Sequence, residues 1–421
     1  MKQIITLLFI GLSLSINTFG QNLKLDECQT LARKNHPLLK QEGVIDELYQ
    51  LHVKSINSSN LPQIDLTGRV SYQSDVTKIN LNLPIQGIQF PEFSKDQYKL
   101  YVDIKEKIYD FGLAKNKRAV ETADKNINLQ QNEVDLYKIK ETVNSLFFNA
   151  LALQQNNEIL SLKRQSLDER IKVVSSAVKN GMSLPNELDA LKAERIQTDQ
   201  QQVELTMNKQ TTLSILGILT GTNIDQNTTL IEPIAGETTA TTNNRPEKKL
   251  FELQKTKLDQ SQLLVKNSHT PYLYAFAQGG YGRPGLNMFS NDFKDWYLGG
   301  IGLSWNLWDG NKTKHDRKAL EIQKKSIDIA NENFERSINI SLTQEKDNIK
   351  KLDILLIADK ELVSLKETIV KRSASALDNG TITSADYIRD LNSALQAKAS
   401  QSIHNLQLIQ AKVNYNTILG N

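Results

Sequence analysis

The sequence contains few of the residues that build disulfide-linked, metal-binding or helical membrane proteins. Its 421 residues include one cysteine, which excludes a disulfide framework and a multi-thiolate metal site. After the first twenty residues no apolar run is long enough for a bundle of membrane-spanning helices. Apolar residues make up 39% of the chain, below the roughly 45–50% of ordinary globular domains. A thick compact core is therefore not expected.

Neither sign of charge is in large excess, since 51 Lys+Arg stand against 48 Asp+Glu. This balance gives no reason to expect a nucleic-acid partner. The five histidines are scattered without metal-ligand spacing. No phosphate loop, nucleophile elbow or pair of catalytic carboxylates stands out. We therefore expect no enzyme, no cofactor and no metal site.

Residues 1–20 are typical of a secretory signal peptide, with a buried first helix as the alternative. Lys2 is followed by an apolar stretch, and cleavage is predicted after Gly20. No cysteine stands at the cleavage point, so a lipoprotein is not expected. Cys28 follows the start of a predicted helix and is expected to pack inside it.

Glycine and proline are absent from residues 113–180 and 311–379. Each stretch begins after a junction that contains Asp and Gly, Asp110-Phe111-Gly112 and Asp309-Gly310, and ends in Asn-Gly. The two aspartates, the two asparagines and the two turn glycines are each 199 residues apart. Such a fixed offset indicates an internal duplication. The predicted organisation is a first repeat over 21–220, a Thr- and Asn-rich exposed connector over 221–245 and a second repeat over 246–421.

The two stretches without glycine or proline are predicted to be long helices with narrow apolar seams. Their apolar residues recur at spacings of three and four, which is typical of a helix with one apolar stripe. A second helical run follows each Asn-Gly, so each repeat is predicted to contain a helical hairpin. A solvated linear coiled coil is the alternative, and the helices alone do not exclude it.

Four segments, at about 62–75, 97–111, 271–283 and 295–309, alternate apolar and polar residues. The predicted lipid-facing residues are Ile64, Leu66, Val70, Leu100, Val102, Ile104, Ile301, Leu303, Trp305 and Leu307. Alternating segments of about ten residues with aromatic ends fit a transmembrane β-barrel, and a small soluble sheet is the alternative. Four strands cannot close a barrel, so copies of the chain must pool them. Three copies give twelve strands and leave room for a channel.

The order of these features resembles the TolC-like outer membrane efflux proteins. The resemblance covers essentially the whole mature chain and rests on a few short motifs in order. They are Leu25-Asp26-Glu27, Asn35-His36-Pro37, Tyr109-Asp110-Phe111-Gly112, Leu307-Trp308-Asp309-Gly310 and the two Asn-Gly turns. It implies a mainly helical homotrimer with a twelve-stranded outer-membrane barrel and a periplasmic tunnel.

By the same resemblance, the expected function is a passive exit duct of an efflux or type I secretion system for small molecules or polypeptides. The implied partners are a periplasmic adaptor protein, an inner-membrane pump that supplies the energy, and outer-membrane lipid. A non-porous structural coiled-coil protein of the cell envelope is the alternative function.

The resemblance places the two Asn-Gly turns at the periplasmic end, where the tunnel closes. Asp386 and Glu187 each lie six residues after a turn glycine, and three copies of Asp386 would form a ring of carboxylates. Repulsion in such a ring would raise its pKa, and polyvalent cations could plug it. Arg389 stands where relatives often have a second carboxylate, with Asp390 beside it. A solvated helix face is the alternative for these residues.

Two further expectations concern the turns. The places where some relatives carry a tyrosine and an arginine that lock the gate hold Leu377 and Ile382 here, so that latch is not expected. The candidates for adaptor contact are Lys179, Asn180, Gly181, Asn379, Gly380 and Thr381. Ordinary turn chemistry is the alternative for them.

Overall fold

The structure, a computed structural model, describes residues 22–76, 94–234, 242–287 and 290–421. The predicted signal peptide over 1–20 lies outside these residues. The elements in chain order are β1 (Asn22–Leu23), α1 (Leu25–Asn35), α2 (Gln41–Ser58), β2 (Gln63–Tyr72), β3 (Asp96–Tyr109), α3 (Leu113–Lys179), α4 (Pro185–Thr220), β4 (Thr229–Leu230), α5 (Pro246–Asn267), β5 (Tyr272–Arg283), β6 (Lys294–Ser304), α6 (Lys312–Asp378) and α7 (Ser384–Ile418). The expected mainly helical fold with a few strands is confirmed.

The long helices occupy the stretches that lack glycine and proline. Lys312, the first residue of α6, lies 199 residues after Leu113, the first residue of α3. Ser384, which begins α7, likewise lies 199 residues after Pro185, which begins α4. Upstream, a short 3-10 helix over Pro37–Lys40 precedes α2.

The Asp-Gly junctions begin the long helices by capping them. The Asp110 carboxylate accepts hydrogen bonds from the backbone N–H groups of Gly112 at 3.0 Å and Ala114 at 2.6 Å. The Asp309 carboxylate accepts one from the N–H of Thr313 at 2.7 Å. An acidic side chain at this place satisfies N–H groups that have no partner inside the helix. The strand-to-helix transitions are therefore encoded locally.

The chain divides into two compact units, and each contains segments from both halves of the sequence. The helical unit comprises residues 22–39, Val134–Arg245 and Arg336–Asn421. The strand unit comprises Lys40–Glu133 and Pro246–Glu335. The spatial units thus follow a different division from the predicted sequence repeats, because α3 and α6 contribute residues to both units.

The core of the helical unit joins α1, α3, α4 and α7. Its buried residues are Leu23, Leu25, Cys28, Ala32, Val143, Phe147, Phe148, Ala150, Leu151, Leu213, Leu216, Leu230 and Leu406. Burial raises the pKa of the Cys28 thiol to about 12, as befits a packed helix residue. The connector over 221–245 is not exposed throughout, since Leu230 lies in β4, pairs in parallel with Leu23 of β1 and enters this core.

A buried ion pair lies further along the helical hairpins of this unit. The Lys163 ammonium is 2.6 Å from the Glu194 carboxylate, and both side chains are largely buried. The Asn392 amide donates a hydrogen bond to the same carboxylate at 3.0 Å. These three residues connect α3, α4 and α7. Burial favours the neutral carboxyl, but the bonds from Lys163 and Asn392 outweigh it and lower the pKa of Glu194.

The strand unit contains one four-stranded antiparallel sheet in the order β2-β3-β5-β6. The strand predicted over 295–309 ends at Ser304, so the prediction that Trp305 and Leu307 are strand residues is wrong. The Trp305 indole N–H instead donates to the carbonyl of His269 at 3.1 Å. Downstream, Asp309 caps α6, so the last residue of the predicted strand belongs to the start of the helix.

The two faces of the sheet differ in chemistry. By register, one face carries Ile64, Leu66, Val70, Leu100, Val102, Ile104, Ile301 and Leu303. Leu66 is 73% exposed and Ile301 74% exposed, so this apolar face is uncovered within the chain. On the other face aromatic rings lie over glycines: a Cβ on Gly300 would be 3.0 Å from the Phe276 ring. The same face also carries charged side chains, such as Arg69, Lys99 and Asp103.

Candidate functional site

The two turns between the hairpin helices have the same backbone geometry. Gly181 and Gly380 adopt φ of 72° and 69°, the left-handed region in which glycine has no steric penalty. The closing hydrogen bonds run from the N–H of Gly181 to the carbonyl of Val178 (3.0 Å), Met182 to Ala177 (2.8 Å), Gly380 to Leu377 (3.0 Å) and Thr381 to Ala376 (2.9 Å). This is the Schellman pattern that ends a helix.

The candidate adaptor-contact residues are exposed at these turns. Lys179, Asn180 and Gly181 are exposed at the first turn, as are Asn379, Gly380 and Thr381 at the second. Two of these side chains also satisfy their own helix end, since the Asn379 amide donates to the carbonyl of Ser375 and the Thr381 hydroxyl to that of Ala376, both at 2.9 Å. Turn chemistry alone therefore accounts for part of their presence.

The return helix α7 begins with a capping box. The Thr383 hydroxyl accepts a hydrogen bond from the backbone N–H of Asp386 at 3.2 Å, and the Asp386 carboxylate accepts one from the N–H of Thr383 at 3.2 Å. Leu184 stands at the corresponding place before α4 and offers no side-chain cap. The two helix starts are therefore unequal, although their turns match.

Glu187 reaches the start of α7 from the first turn of α4. Its carboxylate accepts a hydrogen bond from the backbone N–H of Ser384 at 2.6 Å. Two of the predicted gate residues, Glu187 and Asp386, thus lie at one helix N-terminus. Each carboxylate satisfies a backbone donor, and the positive end of the helix dipole favours both.

Within one chain, the pKa of Asp386 is lowered, whereas a ring of three carboxylates would raise it. Hydrogen bonds from Thr383, followed by the charge of Arg389, hold the pKa of Asp386 below its usual value. The Arg389 guanidinium lies 3.0 Å from the Asp386 carboxylate and 3.7 Å from that of Asp390. The Ser373 hydroxyl donates to Asp390. Within one chain, these acidic residues are therefore engaged rather than free.

A second polar contact at this end was missed by the sequence analysis. The Arg170 guanidinium lies 2.5 Å from the Asp378 carboxylate and 5.8 Å from the centre of the Tyr387 ring. Tyr387 is 3% exposed, and burial raises the pKa of its phenol. The one signal in the sequence is the acidic residue directly before Asn379-Gly380. Arg170, the partner of Asp378, lies in α3, and no spacing rule along the sequence links the two residues.

A histidine–aspartate pair lies at the second strand-to-helix junction, in the strand unit. His269 places one ring nitrogen 2.6 Å from the Asp309 carboxylate and the other 2.8 Å from the carbonyl of Asn306. Its bond to Asp309 raises the pKa of His269. Hydrogen bonds from Thr313, and then His269, hold the pKa of Asp309 well below its usual range.

Among the described residues, no group of three His, Cys, Asp or Glu side chains is placed to hold a metal ion. In the same part of the chain, no helix combines the length and the apolar character that a membrane crossing requires.

The chain is similar to solved structures of known proteins. No protein-family profile and no curated protein matches the sequence. The Campylobacter jejuni CmeC outer membrane channel is similar at a TM-score of 0.65 and 16% identity, over 94% of this chain and 85% of that chain. The Vibrio cholerae outer membrane protein VceC is similar at 0.66 and 13%, over 94% and 96%.

The open state of the Neisseria gonorrhoeae MtrE outer membrane channel is also similar, at a TM-score of 0.64 and 12% identity, over 94% of this chain and 89% of that chain. The chain has a TolC-like fold. The resemblance inferred from the short motifs is therefore confirmed for the fold. CmeC and MtrE are outer membrane channels.

Within this TolC-like fold, the two positions examined for a latch lie in an apolar cluster. Leu377 and Ile382 pack against buried residues of α3, α4 and α7, namely Leu167, Val174, Leu191, Tyr387 and Leu391. Among the polar contacts at this end, Arg170 pairs with Asp378 and Glu187 accepts from the N–H of Ser384.

Proposed function

We propose that the chain is the outer-membrane exit duct of an efflux or type I secretion system, carrying small molecules or polypeptides. The observation that carries the proposal is the sheet, which exposes a wide apolar face. Among the described residues, β2 and β6 each have one edge without a paired strand. An open, apolar edge invites association in water, and lipid does not tolerate it. Both features are explained if copies of the chain complete a barrel in a membrane.

Three copies are the proposed assembly. If β2 of one copy pairs with β6 of the next, three sheets give a closed barrel of twelve strands, wide enough for a channel. Two copies would give eight strands, whose interior is filled by side chains. An ancestral duplication fits the equal 199-residue offsets between α3 and α6 and between α4 and α7.

The proposed setting is the outer membrane, with the helices in the periplasm. The predicted signal peptide supports export from the cytoplasm. A periplasmic adaptor would meet the exposed turns at Asn180-Gly181 and Asn379-Gly380, and an inner-membrane pump would supply the energy. We propose no nucleic-acid partner and no catalytic role.

We further propose that Asp386 acts at the periplasmic gate, where three copies would form a ring of carboxylates. Removing the charge while keeping a hydrogen-bond acceptor, by Asp386→Asn, should weaken the block of single-channel conductance by multivalent cations. Asp386→Ala should weaken the block equally and also loosen the start of α7. Unchanged block in Asp386→Asn would remove Asp386 from the gate.

The experiment that tests the duct is conductance of the purified full chain in planar lipid bilayers. We expect stable ion-conducting steps, and heat-modifiable trimers in outer-membrane fractions. The competing function is a non-porous structural coiled-coil protein of the envelope. Monomers that sediment with the soluble periplasm and give no conductance would favour it and overturn the duct.

A further inference from the structure

Three cationic residues lie in one row across the polar face of the sheet. Arg69 of β2 is in register with Lys99 of β3, Lys99 with Gly282 of β5, and Gly282 with Lys294 of β6. Every strand of the sheet thus contributes to the row, and the only uncharged member is a glycine. The row lies at the end of the sheet opposite to the one where β3 and β6 lead into α3 and α6.

No carboxylate neutralises this row within the part of the chain that the structure describes. None of the three cations lies within 4.0 Å of an acidic oxygen there, whereas the nearby Asp96 carboxylate is bonded to Arg283 on the apolar face. Within the paired strands, the nearest acidic residues on the polar face are Asp65 and Asp103, four residues along from Arg69 and Lys99, and Asp295 beside Lys294 lies on the opposite face. At about 3.3 Å per residue, four residues span about 13 Å. This exceeds the screening length of about 8 Å at physiological salt.

The intervening row is neutral and aromatic. Tyr101 and Trp296 lie on either side of Gly280, with ring centres 5.5 Å apart. Beyond it, Asp103 is already engaged, since it lies 2.6 Å from the Lys105 ammonium and accepts a hydrogen bond from Gln278 at 3.0 Å. Among the described residues, the three cations therefore have no carboxylate at ion-pairing distance on the polar face.

Gly282 lets the row stay compact. A Cβ at this position would lie 3.2 Å from the Cγ of Lys99 and 2.5 Å from the carbonyl oxygen of Tyr98. The aliphatic stem of Lys99 therefore lies against the backbone of β5, toward Lys294. Like charges on neighbouring strands destabilise a sheet. A row of three cations that has no ion pair among the described residues is able to attract an anion from solution.

We propose that this row is an anion-selecting ring in the assembled duct. The inference rests on the proposed function, because the polar face must line the pore. Three cations in each copy give nine around a pore of three copies, and rings of Arg and Lys are the usual means by which pores attract anions. The substrate class that the exit end favours is thus anionic solutes.

The test is the reversal potential of the purified full chain in planar bilayers under a potassium chloride gradient. The wild-type pore is expected to pass chloride in preference to potassium. The triple variant Arg69→Gln/Lys99→Gln/Lys294→Gln should lower the chloride-to-potassium permeability ratio by about twofold or more. The charge-conserving variant Arg69→Lys/Lys99→Arg/Lys294→Arg should keep the wild-type ratio.

A second control removes three exposed helix lysines that pair with carboxylates three residues away, Lys249→Gln/Lys318→Gln/Lys350→Gln. It should leave the ratio closer to wild type than the sheet variant does. If the triple sheet variant does not assemble, the single edge variant Lys294→Gln should show a smaller shift in the same direction.

The outcomes separate this inference from the duct itself. A wild-type pore that conducts but prefers potassium, or a ratio that the sheet variants leave unchanged, overturns the anion ring and leaves the duct standing. A wild-type chain that never conducts overturns both. A cation-selective triple variant beside an anion-selective wild type supports both.

Discussion

The carboxylate of Glu187 accepts a hydrogen bond from the backbone N–H of Ser384 at 2.6 Å, so the first turn of α4 caps the first turn of α7. Asp386, which lies 199 residues after Glu187, caps the same helix through its hydrogen bonds with Thr383. Residues at equivalent places in the two halves therefore converge on one helix start. The contact of Glu187 requires both hairpins, because Glu187 and Ser384 belong to different ones.

Replacing Glu187 with alanine should destabilise the helical unit by about 1–2 kcal/mol, because it leaves the N–H of Ser384 without a protein acceptor. Glu187→Gln keeps an acceptor oxygen and should lose less. Thermal unfolding of the purified chain in detergent, followed by circular dichroism, measures both. Glu204→Ala, at an exposed position of the same helix, serves as the control. Equal losses in all three variants would contradict the cap.

The buried pair of Lys163 and Glu194 predicts a larger effect. Lys163→Met should lower the free energy of unfolding by about 3 kcal/mol, because the Glu194 carboxylate stays buried without its cation. Lys163→Met/Glu194→Gln should recover much of this loss, since glutamine is neutral and still accepts from Asn392. Denaturant unfolding measures the difference, with exposed Lys172→Met as the matched control. A double variant no more stable than Lys163→Met would rule out the unpaired Glu194 carboxylate as the cause of the loss.

The His269–Asp309 pair predicts a dependence of stability on pH. Because Asp309 raises the pKa of His269 above its usual 6.5, the pair stabilises the folded state fully below that value. The stabilisation is lost as the pH rises through the folded pKa. Wild type should therefore exceed His269→Gln in melting temperature at acidic pH and lose that advantage at alkaline pH. A difference that is constant with pH would contradict a charged pair.

Two lysine substitutions on β6 test which face of the sheet meets lipid. Ile301→Lys places a charge on the apolar face and should cost about 2–4 kcal/mol if that position lies near the middle of the membrane. Leu298→Lys places the same charge on the polar face, in the row of Asp103, and should be tolerated. The readout is the yield of heat-modifiable trimers in outer-membrane fractions. Equal yields would count against a lipid-facing apolar side.

Local signals in the sequence predicted the helices more accurately than the ends of the strands. Asp110 and Gly181 mark helix boundaries because capping and left-handed turns depend on neighbouring residues. The last strand was predicted too long, since Trp305 and Leu307 keep the alternating pattern although Trp305 bonds to His269 instead of a neighbouring strand.

The contacts of the candidate site were largely hidden from the sequence. Glu187 was singled out by position, but its bond to Ser384 depends on how helices from the two halves pack together. The same holds for Arg170 and Asp378, which are 208 residues apart. No spacing rule predicts such pairs, because neither partner constrains the other along the chain. The sequence therefore singled out candidate residues, but their hydrogen bonds depend on the three-dimensional packing.

The parallel pairing of β1 with β4 has a consequence for folding order. Leu23 pairs with Leu230, and the Asn35 amide donates to the carbonyl of Thr220 at 2.6 Å, so the first described residues depend on partners made about two hundred residues later. Contacts of such long sequence separation form slowly. During folding the leading segment must therefore stay without its strand partner until β4 is in place, and over this interval it is open to other binding partners and to proteolysis.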